Sequence, residues 1–216
     1  MQGKLSIWGR KTSSNVQALM WCVAELNLAY ERYDIGHKFG GNDTPEFLEM
    51  NPNGTVPVLR DNGGEAIWET GAILRYLATQ YGTGDFWPQQ PQARANVDKW
   101  AEWAKINIAG TFTGPIFWRV VRTAAKDRDE KAIASALNVF HKYLQIAENQ
   151  LTKQPFLAGE AFTLADIQFG HVLYRYFDIA IERASFPAVE QYYQNLTQRP
   201  AFAEHVMVSY DDLRAE

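Results

Sequence analysis

The spacing of apolar positions changes period several times over residues 4–81 and is helical from there on. Leu5-Ser6-Ile7-Trp8 reads as a short buried strand, followed by a turn-forming stretch from Gly9 to Asn15. Val16, Leu19, Met20, Val23 and Leu26 recur at three-and-four spacing and predict a helix over 16–27 with one apolar face. Residues 30–35 alternate as a second strand, a glycine-containing loop covers 36–42, and 44–50 form a helical turn. Asn51-Pro52-Asn53-Gly54 marks a turn before a third strand at 56–59. Asp61-Asn62-Gly63-Gly64 joins that strand to a fourth, 65–68, as a tight hairpin, and 70–81 reads as a helix. The order β-α-β-α-β-β-α describes a compact α/β unit of about 80 residues, within the usual domain range.

Residues 83–91 carry Pro88, Pro91 and polar filler, the composition of a linker. Helical spacing then covers 92–123, 127–152, 163–181 and 187–198, with breaks at Gln154-Pro155 and Ser185-Phe186-Pro187. The division is an α/β domain at 1–82, a linker at 83–91 and an all-α bundle at 92–216.

Composition narrows the function. With 216 residues, 46% hydrophobic, 21% charged and 13% aromatic, the chain has the makings of a real core and is not a disordered or low-complexity protein. No apolar run reaches the roughly 18 residues of a membrane span, and Met1-Gln2-Gly3-Lys4 opens no signal-type apolar segment, so a cytoplasmic protein is expected. A net charge of -4 argues against nucleic acid or an anionic membrane as the main partner. The single cysteine, Cys22, excludes an internal disulfide and a CxxC pair, and inside a helix it reads as a small buried hydrophobe. His141 and His171 have no second ligand at metal-binding spacing, so no metal is expected. Trp100, Trp103, Phe112, Phe117 and Trp118 read as core or subunit contact.

Two places invite chemistry. A proline in a buried strand deletes a ladder hydrogen bond, so Val56-Pro57 needs a reason. With a cis Val56-Pro57 bond, Val56 would turn its N–H and C=O outward, where they can clasp an extended peptide; a trans proline on an edge strand is the plainer alternative. Trp68-Glu69-Thr70-Gly71-Ala72 lies at a strand-to-helix junction. There Thr70 can cap the helix while its free N–H groups favour a carboxylate, and Glu69 can take an ammonium. That geometry suits an amino-acid zwitterion, although simple capping accounts for Thr70 as well. In the second half, Thr163 and Asp166 have the spacing of a capping box, a structural role.

Asn53-Gly54-Thr55-Val56-Pro57-Val58-Leu59, with 68–77, resembles the glutathione-binding half of the cytosolic glutathione transferase family, and 156–167 resembles that family's folding signature. Arg199-Pro200-Ala201-Phe202 is similar to the end of its last helices, so the resemblance spans almost the whole chain. It implies a thioredoxin-like first domain, a helical second domain, a two-fold homodimer and glutathione as co-substrate. Val56, beside Pro57, would hold the cysteinyl part of glutathione through its backbone, and Glu69 and Thr70 the γ-glutamyl end. The glycine carboxylate falls to the loop carrying His37, Lys38 and Phe39, with Lys38 chosen on charge.

In this family the residue that activates the thiol lies between the first strand and the first helix. Here that loop holds Thr12-Ser13-Ser14-Asn15, without tyrosine or cysteine. The resemblance therefore points to theta-, phi- and nu-like serine classes, with Ser13 as activator and Asn15 approaching the sulfur. Ser14 competes, since a one-residue shift exchanges the two, and both serines could instead merely cap the helix. A thiol of pKa about 8.5 is roughly 3% thiolate at pH 7; lowering it two units stabilises the anion by about 2.7 kcal/mol. Arg119 and Arg122 could face the cleft toward an anionic second substrate or a glutathione carboxylate, or simply be solvated. Three functions compete: transfer of glutathione to a small, largely apolar electrophile in a detoxification role, glutathione-dependent reduction of disulfides or peroxides as in nu-like members, and a non-catalytic binding module on the same fold.

Overall fold

The computed structural model describes residues 4–215; Met1, Gln2, Gly3 and Glu216 lie outside the described residues. Four short strands, β1 (Leu5–Trp8), β2 (Tyr30–Tyr33), β3 (Val58–Asp61) and β4 (Ile67–Trp68), form one sheet in the order β2-β1-β3-β4. β1 is parallel to β2, with Leu5 opposite Tyr30, and antiparallel to β3, with Leu5 opposite Asp61; β3 and β4 are antiparallel. A parallel neighbour requires a crossover, which α1 (Ser14–Glu25) provides. α2 (Pro45–Met50) precedes β3, and α3 (Thr70–Tyr81) follows β4. In the β3–β4 connection, Asn62 and Gly63 have φ of 51° and 72°, the left-handed sense that a primed turn demands, and Gly64 N donates to Asp61 O at 2.9 Å.

The periodicity predicts one apolar face on the first helix, yet every residue of α1 from Val16 to Val23 is buried. The helix is sandwiched between its own α/β layer and the helical half, touching α3, α8 and α11. Trp21 is fully buried and lies edge-on to Phe202 at 4.8 Å, a burial worth on the order of 5 kcal/mol. At the same seam Arg199 donates to both oxygens of Glu25, at 2.8 and 2.7 Å, with its guanidinium 3.8 Å from the Phe162 ring centroid.

The expected linker is pinned in place: Trp87 is buried and its indole N–H donates to Thr79 Oγ1 at 3.0 Å. Beyond it a long bent helix starts as α4 (Pro91–Trp103), becomes π-helical over Ala104–Ala109, passes through the single turn α5 (Gly110–Phe112), is π-helical again over Thr113–Trp118 and ends in α6 (Arg119–Val121). Pro115, with no N–H to donate, stands inside the second π-helical stretch. α7 (Glu130–Leu151), α8 (Leu164–Gly170), α9 (Leu173–Asp178), α10 (Pro187–Thr197) and α11 (Pro200–His205) complete the bundle. The helix predicted over 163–181 is two helices. It breaks after Gly170, whose missing side chain leaves room for Trp21 and Leu196.

The capping box before α8 is formed as the spacing predicts, and more besides. Asp166 accepts from Thr163 N at 2.8 Å, Thr163 Oγ1 at 3.0 Å, Leu157 N at 3.1 Å and Tyr192 OH at 2.9 Å. One buried carboxylate thus ties the entry of α8 to the preceding loop and to α10.

Candidate active site

The third strand starts two residues later than the pattern predicts, so Pro57 occupies no ladder position and sits at the threshold of β3. The Val56–Pro57 bond is cis, the first of the two alternatives. Neither the N–H nor the C=O of Val56 has a backbone partner among the described residues. The loop before it is held from beneath: buried Asn51 donates to Thr55 O at 2.8 Å and accepts from Asn53 N at 3.1 Å, and Asn42 donates to Gly54 O at 2.8 Å.

At the start of α3 the sequence reading needs a correction. Thr70 is not the cap; it is the first helical residue and is buried, and Glu69 holds the cap position with no side-chain cap bond. Glu69 has φ 67° and ψ 115°, a conformation costing a non-glycine residue about 1–3 kcal/mol. Its exposed carboxylate is left standing beside the helix N-terminus, where a bound ammonium would meet it and the free N–H groups would meet a carboxylate.

Ser13 is the N-cap of α1, yet its side chain makes no cap bond, so the capping alternative does not use its hydroxyl. Ser14 is the first helical residue, and Ser13 N donates to Arg10 O at 3.1 Å. Two cations from the helical half hold this loop. Arg175 of α9, 3% exposed, donates to Thr12 O at 2.8 Å and stacks 4.4 Å from the Phe117 ring. Half-buried Lys105, in the first π-helical stretch, donates to Asn15 Oδ1 at 2.8 Å. Burial is the main cause lowering the pKa of both groups, taking Arg175 down to about 10; for Lys105 the charges of Glu69 and Glu102 oppose the shift.

Ser13, Ser14 and Asn15 thus form the cap and first turn of α1, and Lys105, bonded to Asn15, also feels the charge of Glu69. Lys38 is ion-paired with Asp212 of the C-terminal turn at 3.1 Å. Of the aromatic run, Phe112 and Phe117 are core, whereas Trp118 is 47% exposed. Arg119 is exposed, and Arg122 stands 5.0 Å from the Trp118 ring. Cys22 is fully buried with its pKa pushed up by burial, so it supplies no thiolate. Arg10, Lys105 and Arg175 escape the sequence reading. The available signal was a lone cation in an apolar helical stretch, Ala104-Lys105-Ile106, and one between two aromatics, Tyr174-Arg175-Tyr176. A concavity of about 750 Å³ near Glu25, Tyr30, Arg199 and His205 lies away from this loop, and its Glu25 and Arg199 neutralise each other.

A thioredoxin-like sheet with a cis-proline loop facing a helix start, closed over by a helical bundle, is matched in both parts by one family. The glutathione S-transferase N-terminal domain matches residues 3–79 and the C-terminal domain residues 108–200. The chain belongs to the glutathione S-transferase family. It is 36% identical over 205 residues to glutathione S-transferase GstB of Escherichia coli (strain K12), covering 94% of this chain and 98% of that protein. It is 29% identical to the disulfide-bond oxidoreductase YfcG of the same organism, over 85% of each. Among solved structures, the theta class glutathione S-transferase of Xanthomonas axonopodis pv. citri with glutathione bound has a TM-score of 0.89 and 42% identity, covering 95% of this chain and 98% of that one. No helix among the described residues is long and apolar enough to cross a membrane.

Proposed function

We propose that this chain is a glutathione transferase that binds glutathione across the Val56 edge and the start of α3, holds its sulfur as thiolate at the Ser13 loop, and transfers it to an electrophilic carbon. The observation that carries this reading is a cap serine whose hydroxyl the helix does not use, in a loop held by two partly or fully buried cations. Val56 offers its backbone pair to the cysteinyl unit, and Glu69 with Thr70 receives the γ-glutamyl zwitterion. Ser13 donates to the sulfur, while Lys105, Arg175 and the N-terminus of α1 add positive potential. A thiolate made this way gains in population more than it loses in nucleophilicity, because the Brønsted slope is only about 0.4–0.5. In the transfer the sulfur lone pair forms a C–S bond, the leaving group departs with its bonding pair, and the thiol proton has already gone to solvent.

Asn15 beside Ser13, and the likeness to a disulfide-bond oxidoreductase, support a second reading in which two glutathione molecules reduce a disulfide. A cytoplasmic homodimer belongs to the first reading; sedimentation checks the dimer and cell fractionation the location. The deciding experiment measures melting temperature with and without millimolar glutathione, then turnover of chlorodinitrobenzene beside hydroxyethyl disulfide. A melting temperature that glutathione leaves unmoved rejects both readings, and predominant disulfide turnover selects the second.

A further inference from the structure

Three arginines from three elements feel one another's charge, Arg175 being disfavoured as a cation first by burial and then by both Arg122 and Arg10. Arg10 comes from the loop after β1, Arg122 from the end of α6 and Arg175 from α9, and each has a buried Nε with no partner among the described residues. Arg175 spends its Nη2 on Thr12 O, whereas Arg10 and Arg122 have no ion pair among the described residues. Arg10 is disfavoured as a cation first by burial and then by Arg122, and Arg122 by burial; His37 feels both. The carboxylate whose charge reaches Arg10 and Arg122 is Asp212, and it is already bonded to Lys38. A half-buried guanidinium left without an acceptor is costly, and its planar fork matches a carboxylate bidentately. The loop that carries Ser13 is tied to two of these residues, since Ser13 N donates to Arg10 O and Arg175 donates to Thr12 O, and the exposed ring of Trp118 lies 5.0 Å from the Arg122 guanidinium.

We propose that the electrophile carries a carboxylate, held by Arg10 and Arg122 beside the thiolate, with its apolar body against Trp118. This rests on the transferase reading and names the substrate class of the same site. With an aryl chloride bearing a carboxylate, the thiolate adds to the chlorine-bearing carbon. The displaced pair passes into the nitro-substituted ring and returns as chloride leaves, so one C–S bond replaces one C–Cl bond and no oxidant or reductant takes part.

The test compares a chlorodinitrobenzoate with the matching chlorodinitrobenzamide, each kcat/KM divided by its uncatalysed rate. The benzoate is favoured by about tenfold or more. Arg122→Gln and Arg10→Gln each cut that preference by about tenfold, the scale of one hydrogen bond to a charge. Asp212→Asn raises it, because Asp212 competes for the same cations. In parallel, calorimetry follows unreactive dinitrobenzoate and dinitrobenzamide binding to the glutathione-saturated protein. Turnover of both halides without benzoate preference overturns the carboxylate site and leaves the transferase reading intact. No turnover, but benzoate binding that depends on Arg122, rejects the transferase reading and keeps the site. An effect of Arg122→Gln that falls on the KM for glutathione assigns these arginines to glutathione's own carboxylate and overturns the proposal.

Discussion

Lys105 Nζ donates to Asn15 Oδ1 across 2.8 Å, joining the helical half to the loop that carries Ser13. An ammonium has no acceptor, so it is the amide oxygen of Asn15 that must face it, and the NH₂ group is the end turned elsewhere. Lys105 thus fixes which end of the Asn15 amide is left free to donate.

Replacing Lys105 by Met removes both that orientation and a nearby positive charge. The thiol pKa of bound glutathione, followed by thiolate absorbance, is expected to rise by about one unit, equivalent to roughly 1.4 kcal/mol. Lys105→Arg should recover part of the shift by restoring the charge. An unmoved thiol pKa in Lys105→Met would show that the lysine only packs.

Ser13 and Ser14 are separable because α1 uses neither side chain in the same way: Ser13 precedes the helix and Ser14 begins it. Ser13→Ala should lower kcat/KM about 100-fold, the effect of deleting one donor to a developing or resident anion. Its melting temperature should change little, since no cap bond is lost. Ser14→Ala should stay within about threefold of the parent by the same scale. The reverse order would transfer the role to Ser14.

Asp166 satisfies four buried donors at once. Asp166→Ala should destabilise the fold by at least about 3 kcal/mol in urea titration, and Thr163→Ala by about 1 kcal/mol. Should Asp166→Ala not fold, Tyr192→Phe, which removes one of the four, is expected to cost about 1 kcal/mol. A loss below about 0.3 kcal/mol in both Thr163→Ala and Tyr192→Phe would deny the network its structural weight.

His171 is 1% exposed and its pKa is pushed down to about 3, first by burial and then by Lys105 and Arg175. The folded state therefore refuses a proton that the unfolded chain accepts near its ordinary value of 6.5. The associated stability is present above pH 6.5 and is lost as pH falls from 6.5 toward 3, at up to about 1.4 kcal/mol per pH unit. A His171→Gln variant should show a shallower acid limb over that window in urea unfolding at successive pH values. An equally steep limb would place the acid sensitivity elsewhere.

The order of strands and helices in the first half and the capping box at Thr163 were legible, because each is written in residues close together in the chain, whereas the sheet order, which pairs Leu5 with Asp61, was not read and the Val56-Pro57 isomer stayed open between two alternatives. Thr70 was misplaced by one position: Thr is the better intrinsic cap, but tertiary structure put Glu69 there at positive φ. The burial of α1 on all sides could not be read from its pattern, since the second covering layer comes from residues more than a hundred positions later. Lys105 and Arg175 were invisible for the same reason: each acts through a partner on another element. Of the pair Arg119 and Arg122, only position along the bent helix separates the exposed one from the half-buried one beside the Trp118 ring.

That bent helix has a further meaning. A π-helical stretch accommodates an added residue without interrupting the rod, and one residue corresponds to about 100° of azimuth. Everything downstream is therefore re-indexed around the axis, so the burial pattern at the end of the helix, with Arg119 exposed and Val120 and Val121 buried, follows from helix phase as well as from sequence. Within such a scaffold a single insertion or deletion near Gly114-Pro115 would turn another face of the helix to where Arg122 now stands, altering the proposed carboxylate site with no substitution in it at all.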